Sequence, residues 1–77
     1  MTRADVFKLL DEERQHQADK WGTVLERPHE LGGWLTIIRV YLRRAEDAWA
    51  SSHGDAEALA EVRKLAALAV ACMEQLA

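Results

Sequence analysis

Arg39, Arg43 and Arg44 fall within six consecutive positions. A guanidinium presents a planar fork of donors that matches a carboxylate or a phosphate, so such a cluster either receives an anion or is neutralised by nearby acids. Asp47 lies four residues after Arg43 and three after Arg44, which predicts ordinary ion pairs along a helix surface for those two. Arg39 has no acid three or four residues away; it must pair with another helix, bind an anion or stay in water, and Glu12 and Glu13 are its candidate partners. His29 stands between Pro28 and the Gly32, Gly33 pair, a composition that suits a helix N-terminus whose free N–H groups receive a phosphate, and equally a tight turn. Glu13 and His16 have the Glu-x-x-His spacing of carboxylate-bridged metal bundles; the plainer reading is a solvated polar face. Trp21, Trp34 and Trp49 could stack on a base or close the edges of a core. No Ser-His-Asp or Cys-His constellation is readable, since Cys72 stands on an apolar helix, and nucleophilic catalysis has no support.

Helices must hold these groups. From Trp34 to Trp49 the large or apolar residues Trp34, Ile37, Ile38, Tyr41, Leu42, Ala45, Ala48 and Trp49 keep the i, i+3, i+4, i+7 rhythm of a helix packed on a core, ending near Ser51. Before it, Thr2 is a predicted N-cap with Asp5 three residues on, opening a helix that runs to about Lys20. Its face carries Val6, Phe7 and Leu10 for two turns and then Arg14, Gln17 and Trp21, until Gly22 stops it. Residues 22–33 form the loop, and the second helix begins either with Pro28 in its first turn or at Trp34 after the two glycines. The polar stretch SSHGD, with His53 as a turn residue, leads to Asp55 as cap of a third helix from about Ala56 to Gln75. Leu59, Val62, Leu65, Ala66, Ala69, Cys72, Met73 and Leu76 share one face of that helix. The run AALAVA at 66–71 is apolar nearly all round, which predicts burial against both the chain itself and a partner.

Composition agrees with an all-α chain of one domain, 1–77, being 49% hydrophobic and rich in alanine and leucine. A net charge of −3 supplies no global field for nucleic acid or anionic membrane, so nucleic-acid binding is disfavoured. No apolar run approaches the roughly 18 residues of a membrane span and no signal-peptide pattern is present, so a cytoplasmic location is expected. A core this small supplies roughly 3–5 kcal/mol alone. Cys72 is the only cysteine and no internal disulfide can help. Self-association is the remaining means of stabilisation, with helices 2 and 3 as a hairpin, helix 1 across it, and two or four copies completing a four-helix core.

EERQHQADKWG at 12–22, His29, Trp34 and Leu35, AEDAW at 45–49 and LAALAVACMEQ at 65–75 together resemble the small MazG-like members, phage and prophage types above all, of the all-α nucleotide pyrophosphohydrolases. The resemblance implies an oligomeric helical bundle in which carboxylates on two hairpin helices hold Mg²⁺ against a nucleoside triphosphate. It also implies that Gln17, Lys20 and Trp21, which match the family's first-helix signature, contact the nucleotide or brace the loop. The family's first acidic motif falls at Val40, Tyr41 and Arg44, and its second at Glu61 and Lys64, so only Glu61 is a carboxylate. The expectation is therefore a degenerate member without Mg²⁺, acting as an oligomeric module for a nucleotide, another anion or a protein. Its binding candidates are Gln17, Lys20, Trp21, His29, Arg39, Arg43, Arg44 and Lys64. One alternative is an active Mg²⁺-dependent pyrophosphohydrolase using Glu12, Glu13, Glu46, Asp47 and Glu61; another is a purely structural bundle.

Overall fold

The computed structural model describes residues 1–51 and 54–77. The chain is all-α, with α1 at Arg3–Trp21, α2 at Leu31–Ser51 and α3 at Ala56–Leu76. Each boundary has a local cause. Thr2 accepts a hydrogen bond from the Asp5 amide at 3.1 Å while the Asp5 carboxylate accepts from the Thr2 amide at 3.0 Å, a complete capping box. Gly22, with φ at 92°, closes α1 and donates its N–H to the Ala18 carbonyl.

The start of α2 and the cap of α3 differ from expectation, while α3 begins at Ala56 as expected. Trp34 donates its amide to the Glu30 carbonyl at 3.1 Å, so α2 begins at Leu31 and both glycines lie inside its first turn. A Cβ at Gly33 would meet the His29 side chain at 3.4 Å, an ordinary van der Waals contact. Asp55 occupies the N-cap position of α3 but its side chain makes no capping bond. Its backbone is helical (φ −88°, ψ −14°) rather than extended, which is not the conformation in which a capping oxygen turns back onto the first amides. His53, read as a turn residue, lies outside the described residues.

α2 and α3 form an antiparallel hairpin, fixed by side-chain bonds from Trp34 to Gln75 at one end and from Arg44 to Glu61 near the other. Trp34, Leu68 and Ala71 are its buried centre, with Val24, Ile37, Ile38, Tyr41 and Cys72 packed around them. Ala67 on α3 is fully buried. α1 meets α3 through polar groups: Glu13 and Gln17 are buried, Gln17 donates to the Lys64 carbonyl at 3.1 Å, and Arg14 forks onto both oxygens of Glu74 at 3.2 and 2.9 Å. These ties start from one turn of α1, so the helix is pinned at its middle and its N-terminal turns overhang.

That overhang corrects the expected core. Phe7 is 62% exposed and Val6 is also exposed, because α3 passes under α1 further along. Leu42 at 49% and Trp49 at 66% likewise stand outside the core assigned to them. The apolar arc of α2 is wider than a single neighbouring helix can cover, and its far edge is left facing outward.

Candidate functional site

The structure divides the sequence candidates into two groups. Lys20, Trp21, His29 and Gln17 line a cleft of about 710 Å³ between the C-terminal half of α1, the loop and α2, floored by Leu68 and Ala71 of α3. Arg39, Arg43, Arg44 and Lys64 lie elsewhere. The cleft also takes in Arg14, Arg27, Asp19 and Glu26 with Trp34, Ile37 and Tyr41, so its rim carries both cations and carboxylates around an aromatic and aliphatic interior.

How the walls are held follows from short-range bonds. Between α1 and α2, the amides of Glu26 and Arg27 both donate to the Thr23 carbonyl, and the Thr23 hydroxyl donates to the Glu26 carboxylate at 3.0 Å. This tight turn sets Arg27 at the rim. Gln75 then clamps the end of the loop to α2. Its Oε1 accepts from the His29 amide at 3.0 Å and from the Trp34 indole Nε1 at 2.8 Å, while its Nε2 donates to the His29 carbonyl at 2.6 Å. The His29 ring meets the Trp34 ring edge-on with centroids 5.0 Å apart.

Charge in the cleft is unevenly committed. Arg14 is saturated by Glu74 and by Gln17, whose Oε1 accepts from Nη1 at 3.3 Å. Gln17, 3% exposed, spends both ends of its amide on Arg14 and Lys64, which makes it a brace rather than a ligand group. Lys20 is different: its ammonium stands 5.0 Å from the centroid of the Trp21 ring. Among the described residues neither Lys20 nor Arg27 is in an ion pair.

On the hairpin, Arg44 and Lys64, two of the positions where the resemblance would put metal-binding carboxylates, carry cations instead. Glu61 Oε1 accepts from Arg44 Nη2 at 3.2 Å and from Lys64 Nζ at 3.3 Å, and the Arg44 guanidinium lies 4.7 Å from the Tyr41 ring centroid. Glu61 Oε2 is buried without a partner. One carboxylate held between two cationic side chains is a poor donor set for Mg²⁺, which takes several oxygen ligands and would be repelled here. Of the other acids considered as ligands, Glu13 lies 3.2 Å from Arg63 Nε, out of line for a hydrogen bond, while Glu12, Glu46 and Asp47 are exposed. Among the described residues no three His, Cys, Asp or Glu side chains converge.

Two expected pairings are therefore replaced. Arg44 reaches across the hairpin to Glu61 instead of along α2 to Asp47, and Glu13 goes to Arg63 instead of Arg39. Arg39 and Arg43 are exposed and in no ion pair among the described residues. Sequence reading missed Arg27 and Gln75 as parts of a site. The signal for Gln75 was its place on the arc of Leu68, Ala71 and Cys72, a single amide continuing an apolar stripe. No protein-family model, curated protein or solved structure matches the chain.

Proposed function

We propose that this chain is a degenerate MazG-like module that self-associates and binds an aromatic anion, a nucleoside triphosphate being the natural example, without a divalent metal. The carrying observation is the cleft: uncommitted Lys20 and Arg27 at its rim, with Trp21, Trp34 and Tyr41 lining an apolar interior. Its volume falls in the range of roughly 300–1,000 Å³ typical of small-molecule sites. A base fits against the indole and phenol rings, and phosphate oxygens fit the two cations at the mouth. The metal-free part of the reading rests on Arg44 and Lys64, which already neutralise the carboxylate of Glu61. On this reading Arg39 and Arg43, outside the cleft, have no part in holding the anion.

Calorimetric titration with ATP, in Mg²⁺ and in excess chelator, with each mixture assayed for released pyrophosphate, tests this directly. Binding should survive the chelator with no turnover. Lys20→Ala and Arg27→Ala should each weaken it by about tenfold, the loss of about 1.4 kcal/mol of charge-assisted contact, while Arg43→Ala leaves it unchanged. Pyrophosphate release that depends on Mg²⁺, or affinity indifferent to both cleft cations, would overturn the proposal.

A further inference from the structure

We infer that Glu74 decides how many phosphates the cleft can use, by occupying the guanidinium of Arg14 with a carboxylate of the chain's own. The inference rests on the anion-binding reading above and names the residue that sets its selectivity.

Arg14 lines the cleft together with Lys20 and Arg27, so α1 and the loop bring three cations to it. Among the described residues, Arg14 is the one of the three in an ion pair. Its Nε and Nη2 fork onto the two oxygens of Glu74 at 3.2 and 2.9 Å, the bidentate geometry in which a guanidinium also takes a phosphate. Its Nη1 donates to Gln17 Oε1 at 3.3 Å, and Gln17 is tied in turn to the Lys64 carbonyl at 3.1 Å. The head of Arg14 is thus held from two sides, by a charged group and by a neutral one. Glu74 is the exchangeable side, its side chain being 44% exposed against 13% for Arg14. The helix it belongs to gains nothing from it: Glu74 lies in the last turn of α3, where the negative end of the helix dipole disfavours a carboxylate. What Glu74 does, it does through Arg14.

The consequence is a cleft whose charges cancel. Asp19 and Glu26 also line it, one oxygen of Asp19 accepting from Gln15 at 2.8 Å and one of Glu26 from the Thr23 hydroxyl at 3.0 Å. With Glu74 on Arg14, three carboxylates stand against three cations. A nucleotide places its first phosphate against Lys20 and Arg27. Each further phosphate then adds charge near Asp19 and Glu26 without an uncommitted cation to meet it, and like charges brought together oppose binding. Neutralising Glu74 changes this count. Gln17 still holds Arg14 in place, and the freed Nε–H and Nη2–H become a third cationic contact for the phosphates beyond the first.

Calorimetric titration of the full chain with AMP, ATP and inorganic tripolyphosphate, in excess chelator, tests the assignment, with circular dichroism confirming that each variant is helical. The wild type should bind AMP and ATP with nearly equal affinity. Glu74→Gln should bind ATP and tripolyphosphate roughly tenfold more tightly, with AMP unchanged. Glu26→Gln removes the same charge from the rim and keeps the acceptor for Thr23, but frees no arginine, so its ratio of ATP to AMP affinity should stay at the wild-type value. Adding Arg14→Gln to Glu74→Gln should abolish the gain. An unchanged ratio in Glu74→Gln, an equal gain in Glu26→Gln, or a gain that persists without Arg14 would overturn the inference. Nucleotide binding by the wild type with no shift in Glu74→Gln sinks the inference alone. A wild type that binds no nucleotide sinks the reading of the cleft, and the inference then stands only if Glu74→Gln acquires affinity for ATP or tripolyphosphate, and falls if it does not.

Discussion

At the scale of single residues, the amide of Gln75 does more for this molecule than any charged group in the cleft. It satisfies the indole of Trp34, the main aromatic of the buried centre, and both backbone groups of His29. Gln75→Ala leaves the indole N–H without a partner beside an apolar core, and a buried unsatisfied donor costs about 1–3 kcal/mol. The denaturation midpoint should fall accordingly. Gln75→Glu, which keeps the acceptor and loses the donor to the His29 carbonyl, should fall less. Equal stability of all three proteins would show that water substitutes for the clamp. The sequence displayed Gln75 as a polar residue on an apolar arc, but what it bonds depends on a loop forty-six residues away. Gln17 shows the opposite case, visible as a site residue by type and position, yet committed on both sides to holding α1 on α3.

At the scale of helices, boundaries were legible wherever a cap is a local matter. The capping box at Thr2 and Asp5 needs only residues three apart, and it forms as read. It also makes α1 sensitive to acid. The hydrogen bond from the Thr2 amide, and after it the one involving the Thr2 side chain, hold the Asp5 carboxyl below the usual aspartate value. A carboxylate with a lowered folded pKa stabilises above its unfolded value and loses that contribution as pH falls through the folded one. The first turn of α1 should therefore exchange its amides faster, relative to the middle of the helix, as pH drops through that range, and Asp5→Asn should abolish the dependence. How α1 packs was not legible, for a physical reason. Val6 and Phe7 are the obvious core residues by hydropathy, but docking was decided by the polar ties of Glu13, Arg14 and Gln17 to α3, whose geometry no periodicity encodes. For Arg39, Arg43 and Arg44 the sequence gives the helix they share, while the partner of Arg44 is set by the hairpin register, which brings Glu61 within 3.2 Å.

At the scale of the whole molecule, the core is thin. Its buried hydrophobics are Trp34 and Leu68 with three alanines, and among the described residues no large side chain is completely enclosed. A core of this size leaves little surplus over the entropy of ordering the chain, whose conformational cost is roughly 1–2 kcal/mol per residue for the backbone alone. The apolar stripes left outside are then best understood as the unburied half of a larger core, and folding and association should be linked. When only the dimer is well stabilised, mass action makes the melting temperature depend on protein concentration. Thermal unfolding followed by circular dichroism over a hundredfold dilution series should accordingly show the wild-type midpoint descending on dilution, with Leu42→Glu lower and constant throughout. If the wild-type midpoint does not move, the hairpin and α1 are stable as a single copy, and the exposed seam contributes nothing to holding the fold together.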